Sequence, residues 1–238
     1  MKTMIATRIA AMGLTVMLAL PAAASVTPYT EAFAADNANW GTGGLWNEYV
    51  PLAWNAGGGP DGANYVSSMQ NFGDFAPGPL DVAIFRGQDN YGSSDGAFAG
   101  DWIDGGITEF SFWVRHDAPV SLKYFVRFTP TGPNFPSMNY RFEDQVVESG
   151  TWTQLTLAIS PDTPGFIPGG GPGTYEAVMS NLGKIQLGVD IEPLAGNGED
   201  FRFDLALVSM QVPGPGGAAL LAVFGFGCRR RRHCLMCS

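Results

Sequence analysis

Between residues 25 and 211 apolar side chains alternate with polar ones in short runs punctuated by Gly, Pro, Asn and Asp, the pattern of antiparallel strands with one buried face. The clearest runs are Ile107 to Arg115, Ser121 to Thr129, Thr151 to Ile159, Ile185 to Ile191 and Phe201 to Met210. Weaker ones lie at Tyr29 to Phe33, Tyr65 to Met69, Val82 to Phe85 and Tyr140 to Val147. In the first run both faces carry aromatics, Trp113 on one and Phe110 and Phe112 on the other, which predicts a central strand in a packed sheet. Trp113 and Trp152 are accordingly expected in the core. A single short helix is predicted from Tyr175 to Leu182, with Thr174 as N-cap, Glu176 in the first turn and Gly183 as terminator. The segments Ala53 to Gly62 and Pro164 to Gly173 read as surface loops, and the chain carries no internal repeat.

Composition supports one folded unit. Apolar residues make up 45% of the 238, aromatics 12% and charged residues only 15%, enough to build a core and unlike a disordered chain. Glycine (32) and proline (17) are abundant without a triplet period, so they mark turns between short strands rather than a collagen-like repeat.

The two ends have a different character. Lys2 and Arg8 precede an apolar stretch from Ile9 to Leu20, then Pro21 and the small residues Ala22 and Ala24, which is the layout of a signal peptide cleaved by signal peptidase after Ala24. The stretch is shorter than the roughly 20 residues a membrane-spanning helix needs. At the other end Val212, Pro213, Gly214 and Pro215 lead into an apolar segment that stops at Arg229, Arg230, Arg231 and Arg232. That order of proline motif, apolar segment and basic stop resembles the PEP-CTERM sorting signal, with Gly214 standing where the family's glutamate does. The resemblance covers about twenty residues, and it implies processing by an exosortase-type enzyme, transient membrane contact through the tail and placement at the cell surface or in an extracellular matrix. The expected organisation is therefore a signal peptide at 1–24, a β domain at 25–211 and a sorting tail at 212–238.

Setting the ends aside changes the charge. Six of the thirteen basic residues lie in them and none of the twenty-two acids does, which leaves the domain with seven basic residues and a formal charge of −15. Such a surface repels phosphate backbones, so no nucleic-acid partner is expected. All three cysteines, Cys228, Cys234 and Cys237, also fall in the tail, so the domain folds without a disulfide.

Several patterns within the domain resemble a jelly-roll carbohydrate-binding module of the galactose-binding-like kind. They are Glu31-Ala32-Phe33 followed by Trp40, Asp61-Gly62-Ala63-Asn64-Tyr65-Val66, Phe110-Ser111-Phe112-Trp113-Val114, Gly150-Thr151-Trp152-Thr153-Gln154-Leu155 and Phe201-Arg202-Phe203-Asp204-Leu205-Ala206-Leu207. The resemblance implies an all-β fold, a two-sheet antiparallel jelly-roll β-sandwich with one short connecting helix. It also implies a structural calcium held by an acid near the first strand and one in the last, positions that Glu31 and Asp204 occupy, with Asp61 as a third candidate; oxygen ligands of this kind suit calcium.

Candidate chemistry divides between stacking and acid catalysis. Trp40, Trp46, Tyr49 and Trp54 fall in a Gly- and Asn-rich region and form either a platform for sugar rings or part of the packing. Arg86, Arg127 and Arg141 either hydrogen-bond sugar hydroxyls or pair with acids across strands. The domain's one histidine, His116, falls in a turn between two strands, and the domain has no cysteine nucleophile. A pair of carboxylates would suffice for a polysaccharide hydrolase or lyase. The expectation is a non-catalytic exported domain that associates with extracellular polysaccharide; a purely structural envelope protein and a polysaccharide-active enzyme are the alternatives.

Overall fold

The computed structural model of the protein describes residues 25–43, 48–132, 136–169 and 174–212. The expected signal-cleavage residues Ala22 and Ala24, the candidate Trp46, and the tail from Pro213 through Pro215 to Arg229, Arg230, Arg231 and Arg232 lie outside these residues. Val212 closes the described chain and is exposed.

The described chain forms two antiparallel sheets. The six-stranded sheet contains β1 (Tyr29–Glu31), β4 (Ala53–Asn55), β5 (Tyr65–Asn71), β7 (Glu109–His116), β10 (Thr153–Ala158) and β13 (Asp200–Gln211). The seven-stranded sheet contains β2 (Gly41–Gly43), β3 (Tyr49–Pro51), β6 (Asp81–Gln88), β8 (Leu122–Pro130), β9 (Ser137–Val147), β11 (Ile167–Gly169) and β12 (Leu182–Asp190). Their orders are β10-β7-β13-β5-β4, with β1 beside β13, and β11-β9-β8-β12-β6-β2-β3. The chain crosses repeatedly from one sheet to the other, giving the expected jelly-roll sandwich.

Alternation places the long strands as the sequence predicts. Phe110, Phe112 and Val114 of β7 point inward, as do Tyr124, Val126 and Phe128 of β8 and Ile185, Leu187 and Val189 of β12, and all are buried. Phe110 meets Phe128 edge-on at 5.5 Å between ring centroids, and Phe112 meets Phe142 of β9 at 5.7 Å. Full burial of such a side chain contributes roughly 1.5–3 kcal/mol. Trp40 is fully buried, and its indole N–H donates to Ser94 Oγ at 2.8 Å. Gly87 makes room for it, since a Cβ there would stand 2.6 Å from the indole ring.

Other expectations are corrected. Trp113 is not in the core: it pairs with Ala206 on the outward side of β7 and is half-buried. Trp152 precedes β10 and is also half-buried, its indole N–H donating to the Gly58 carbonyl at 3.0 Å. With aromatics on both faces of β7, period two identifies the two faces but not which of them meets the other sheet. The helix α1 is Tyr175–Met179, capped by Thr174 Oγ1, which accepts from the Ala177 N–H. It stops earlier than expected, and Gly183 lies inside β12, where a Cβ would press on Thr131. Ala53–Asn55 and Ile167–Gly169, read from sequence within loops, are short edge strands.

His116 does not sit in a turn. It ends β7 on the inward face, 1% exposed, with Nε2 at 3.0 Å from the Val147 carbonyl and its ring 6.1 Å from that of Phe203. Burial holds its pKa below the ordinary value. The unfolded imidazole titrates near ~6.5, so this residue's share of the stability is intact above that pH and is lost as the pH falls towards the lower folded pKa. In urea titrations from pH 8 to pH 5, the wild-type midpoint is expected to drop more than that of His116→Gln; parallel profiles would remove this assignment. Tyr124 is fully buried and its hydroxyl has no partner among the described residues. Because such a group costs desolvation without return, Tyr124→Phe is expected to leave the urea midpoint unchanged or raise it, and a clear loss would refute that account.

Candidate functional site

The outward face of the seven-stranded sheet is a continuous field of planar and charged side chains. Strand register aligns one row across it: Ile167 of β11 pairs with Asn139 of β9, Asn139 with Arg127 of β8, Arg127 with Gln186 of β12, Gln186 with Arg86 of β6, and Arg86 with Gly41 of β2. Neighbouring strands are about 4.8 Å apart, so these side chains meet laterally. The Arg127 Nε–H donates to Asn139 Oδ1 at 2.7 Å and its Nη1–H to Gln186 Oε1 at 3.2 Å. The guanidinium also lies 5.4 Å from the centroid of Phe125, which is itself on this face. Phe125 is buried there because β12 offers Gly188 beside it, where a Cβ would stand 2.6 Å from the ring.

One flank of the row is aromatic. Tyr49 of β3 is 37% exposed and its ring lies on Gly41, where a Cβ would stand 2.7 Å from it. The Tyr49 and Tyr91 rings are 4.8 Å apart at 60°. The Arg86 guanidinium lies against Gly43 in the same way. The glycines of β2 thus let a ring and a guanidinium lie on the backbone of the sheet.

The opposite end of the face is electrostatically closed. Arg141 contacts Asp81 at 2.8 Å and Asp190 at 3.9 Å, and Lys123 contacts Glu143 at 2.7 Å. Desolvation raises the Asp81 pKa, outweighing the pull of Arg141 in the other direction.

The sequence candidates separate in space. Of the four aromatic candidates, only Tyr49 lies on this face among the described residues. Trp40 is in the core, and Trp54 sits on edge strand β4 of the other sheet, 40% exposed, with its indole N–H on the Phe33 carbonyl at 2.8 Å. Arg86, Arg127 and Arg141 are brought together, and Tyr91, Gln186 and Asn139 are additions that sequence reasoning missed. Strand register reveals Gln186 and Asn139, whereas Tyr91, in the turn Asp89–Tyr91, is placed by its ring contact with Tyr49.

The three calcium candidates do not converge. Glu31 is buried; its Oε1 accepts from the Phe33 N–H at 2.7 Å and its Oε2 from the Tyr29 hydroxyl at 3.0 Å. The Tyr29 phenol is pushed up to about 12, by burial first and by Glu31 next. Glu31 pairs with Val208, four residues along β13 from Asp204, a separation of roughly 13 Å at ~3.3 Å per residue. Asp204 is 2% exposed and is bracketed by Arg115 at 2.7 Å and Arg202 at 2.7 Å. Arg115 in turn lies 4.7 Å from the Trp152 ring centroid, and Arg202 donates to the Tyr65 hydroxyl at 2.8 Å. Asp61 is exposed on the turn Pro60–Gly62. No group of three metal-binding side chains occurs among the described residues. The donor arrangement does not fit calcium at Glu31, Asp61 and Asp204; the Asp204 carboxylate is instead an anchor between two arginines.

Removing a buried ion partner costs about 3–5 kcal/mol, but the arginine side chains here are 26% and 36% exposed, so solvent screening lowers the expected loss for Asp204→Ala to about 1–3 kcal/mol. Urea unfolding measures this, and the wild-type melt is expected to be the same with and without EDTA. A chelator-induced drop in Tm would restore a metal to the cluster.

No family model matches the chain, and no curated protein matches it. Among solved structures it is similar to the family 11 carbohydrate-binding module from Clostridium thermocellum, in complex with a β-1,3-1,4-mixed-linked tetrasaccharide, with 13% identity over 79% of this chain and 98% of that one and a TM-score of 0.45. It is similar to the CBM22-1 xylan-binding domain from Paenibacillus barcinonensis, with 13% identity, coverage of 80% and 100%, and a TM-score of 0.41. An exo-β-agarase gives 11% identity, coverage of 82% and 26%, and a TM-score of 0.49. The chain spans 28%, 22% and 26% of the lengths of the first three xylanase and agarase chains it matches.

Proposed function

We propose that the protein is an exported, non-catalytic polysaccharide-binding domain that holds its ligand on the outward face of the seven-stranded sheet. The observation that carries this reading is the row Asn139, Arg127, Gln186 and Arg86, whose planar amide and guanidinium groups stand side by side next to the ring pair of exposed Tyr49 and half-buried Tyr91. Such groups suit hydroxyl-rich chains: amides and guanidinia exchange hydrogen bonds with hydroxyls, and an aromatic ring accepts the apolar face of a sugar. The first alternative, a purely structural envelope domain, would not need a polar row of this kind laid on glycines. An enzyme is less favoured, because the acids of this face, Asp81, Asp190 and Glu143, are tied to Arg141 or Lys123, and His116 is buried on the inward side of the other sheet.

The route to the surface is part of the same proposal and rests on the sequence of the ends: signal peptidase cleavage after Ala24, then recognition of the 212–238 tail by an exosortase-type enzyme with transient membrane contact. Mass spectrometry of the exported protein is expected to find Ser25 as its first residue.

Affinity electrophoresis against soluble polysaccharides tests the binding face. At least one polysaccharide is expected to retard the protein, and Tyr49→Ala is expected to weaken that retardation about tenfold, near the ~1–1.5 kcal/mol attributed to one good aromatic contact. Retardation unchanged by Tyr49→Ala would move the site elsewhere.

A further inference from the structure

The row that carries the polysaccharide reading runs across the strands, and its two sides differ. On one side Arg141 with Asp81 and Asp190, and Lys123 with Glu143, fill the space with ion pairs. On the other side, past the ends of β6 and β8 and at the start of β12, the face opens into a cavity of about 240 Å³ lined by Asp89, Asn90, Thr131, Gly132, Gly183 and Lys184. Lys184 lies two residues along β12 from Gln186, and Thr131 lies four beyond Arg127. The cavity is therefore displaced from the row along the strands by roughly 7–13 Å at ~3.3 Å per residue. A chain laid on the row passes this cavity at its flank, and what fills the cavity must leave the chain sideways.

Behind the cavity stands an unanswered group. Gln88 pairs with Lys184 and is on the same outward face as Arg86, two residues away, yet it is 2% exposed, because the turn Ser93–Gly96 folds back over the end of β6. Its backbone N–H donates to Ser93 Oγ at 3.0 Å, whereas neither Nε2 nor Oε1 of its side chain has a partner among the described residues. A recess of about 10 Å³, which shares Asp89, Gly183 and Lys184 with the cavity, reaches this amide. That is close to the room one water-sized group needs. A buried amide with both donor and acceptor open carries a desolvation cost that an incoming hydroxyl returns.

Resting on the reading of this face as a polysaccharide site, we infer that its ligand is a branched polysaccharide: the backbone lies on the row from Asn139 to Arg86, and a single-sugar branch enters the cavity and offers a hydroxyl to Gln88. The cavity is smaller than the ~300–1,000 Å³ of sites for larger ligands, which fits one sugar ring and not a second stretch of chain. Its lining supplies the carboxylate of Asp89, the amide of Asn90 and the hydroxyl of Thr131, donors and acceptors together, as sugar hydroxyls require. Gly132 and Gly183 add no side chains to the wall. The turn Asp89–Tyr91 also carries Tyr91, whose ring meets Tyr49, so the cavity opens beside the aromatic flank of the row.

The test is affinity electrophoresis of the purified chain in galactomannan, arabinoxylan and xyloglucan, each beside the same polymer after partial enzymatic removal of its branches. At least one polymer is expected to bind about tenfold more tightly with its branches than without. Asn90→Trp, at an exposed position, is expected to block the cavity, abolishing that preference while affinity for the debranched polymer stays within twofold. Gln88→Met keeps the length of the side chain and removes its amide; it is expected to reduce the preference about threefold with a Tm unchanged or raised, which separates lost recognition from lost folding. Tyr49→Ala, on the row, is expected to weaken both forms alike. Equal retardation by the branched and debranched forms of all three polymers overturns the inference and leaves the polysaccharide reading standing. A preference that survives Asn90→Trp overturns the assignment to this cavity, and one untouched by Gln88→Met overturns the role of that amide. Absence of retardation by every polymer overturns both readings.

Discussion

The contact between the two sheets is carried by rings: Phe110 and Phe112 from β7 meet Phe128 and Phe142 from β8 and β9, with Trp102 wedged against Phe110 and Phe128. With no cysteine between residues 25 and 211, this dry layer does the work that a disulfide does in many secreted sandwiches. Its consequence reaches the far side of the seven-stranded sheet. Once Val126, Phe128, Ile185 and Leu187 are committed inward, the pleat commits Arg127 and Gln186 outward, and antiparallel pairing sets them beside Asn139 and Arg86. A register slip of one residue would bury an arginine and expose a phenylalanine, so packing on one face fixes the chemistry of the other.

The two outward faces use their arginines differently. On the six-stranded sheet, Arg115 and Arg202 converge on one buried carboxylate and rest on Tyr65 and Trp152, a closed arrangement in which charge and hydrogen bonds are satisfied locally. On the seven-stranded sheet, Arg127 is fixed by two neutral amides and forms no ion pair within 4 Å among the described residues. Positioning without neutralisation is what a recognition surface needs, because a preorganised donor loses little freedom when a ligand arrives.

The long strands were legible in the sequence because alternation over six or more residues is hard to imitate by chance. Three-residue strands such as Gly41–Gly43 and Ile167–Gly169 are too short to show a period, and glycine there reads as a loop. That same glycine lets Tyr49 and Arg86 lie on the sheet, so the feature that builds the site also hid it. Tryptophan drew attention to Trp40 and Trp54, yet volume alone does not separate a core ring from a displayed one. Arg86, Arg127 and Arg141 were visible singly; their convergence is a property of register, which couples residues up to about a hundred positions apart.

Strand β1 has a consequence of its own. Tyr29, Thr30 and Glu31 pair with Met210, Ser209 and Val208, so the first strand of the domain is completed by the last. Between them, Leu207 adopts a left-handed backbone (φ 48), and there the ladder of β13 passes from β5 to β1. A chain emerging from its N-terminal end must therefore carry β1 without its partner until nearly the whole domain has been made, and closure over so long a loop is entropically late and slow.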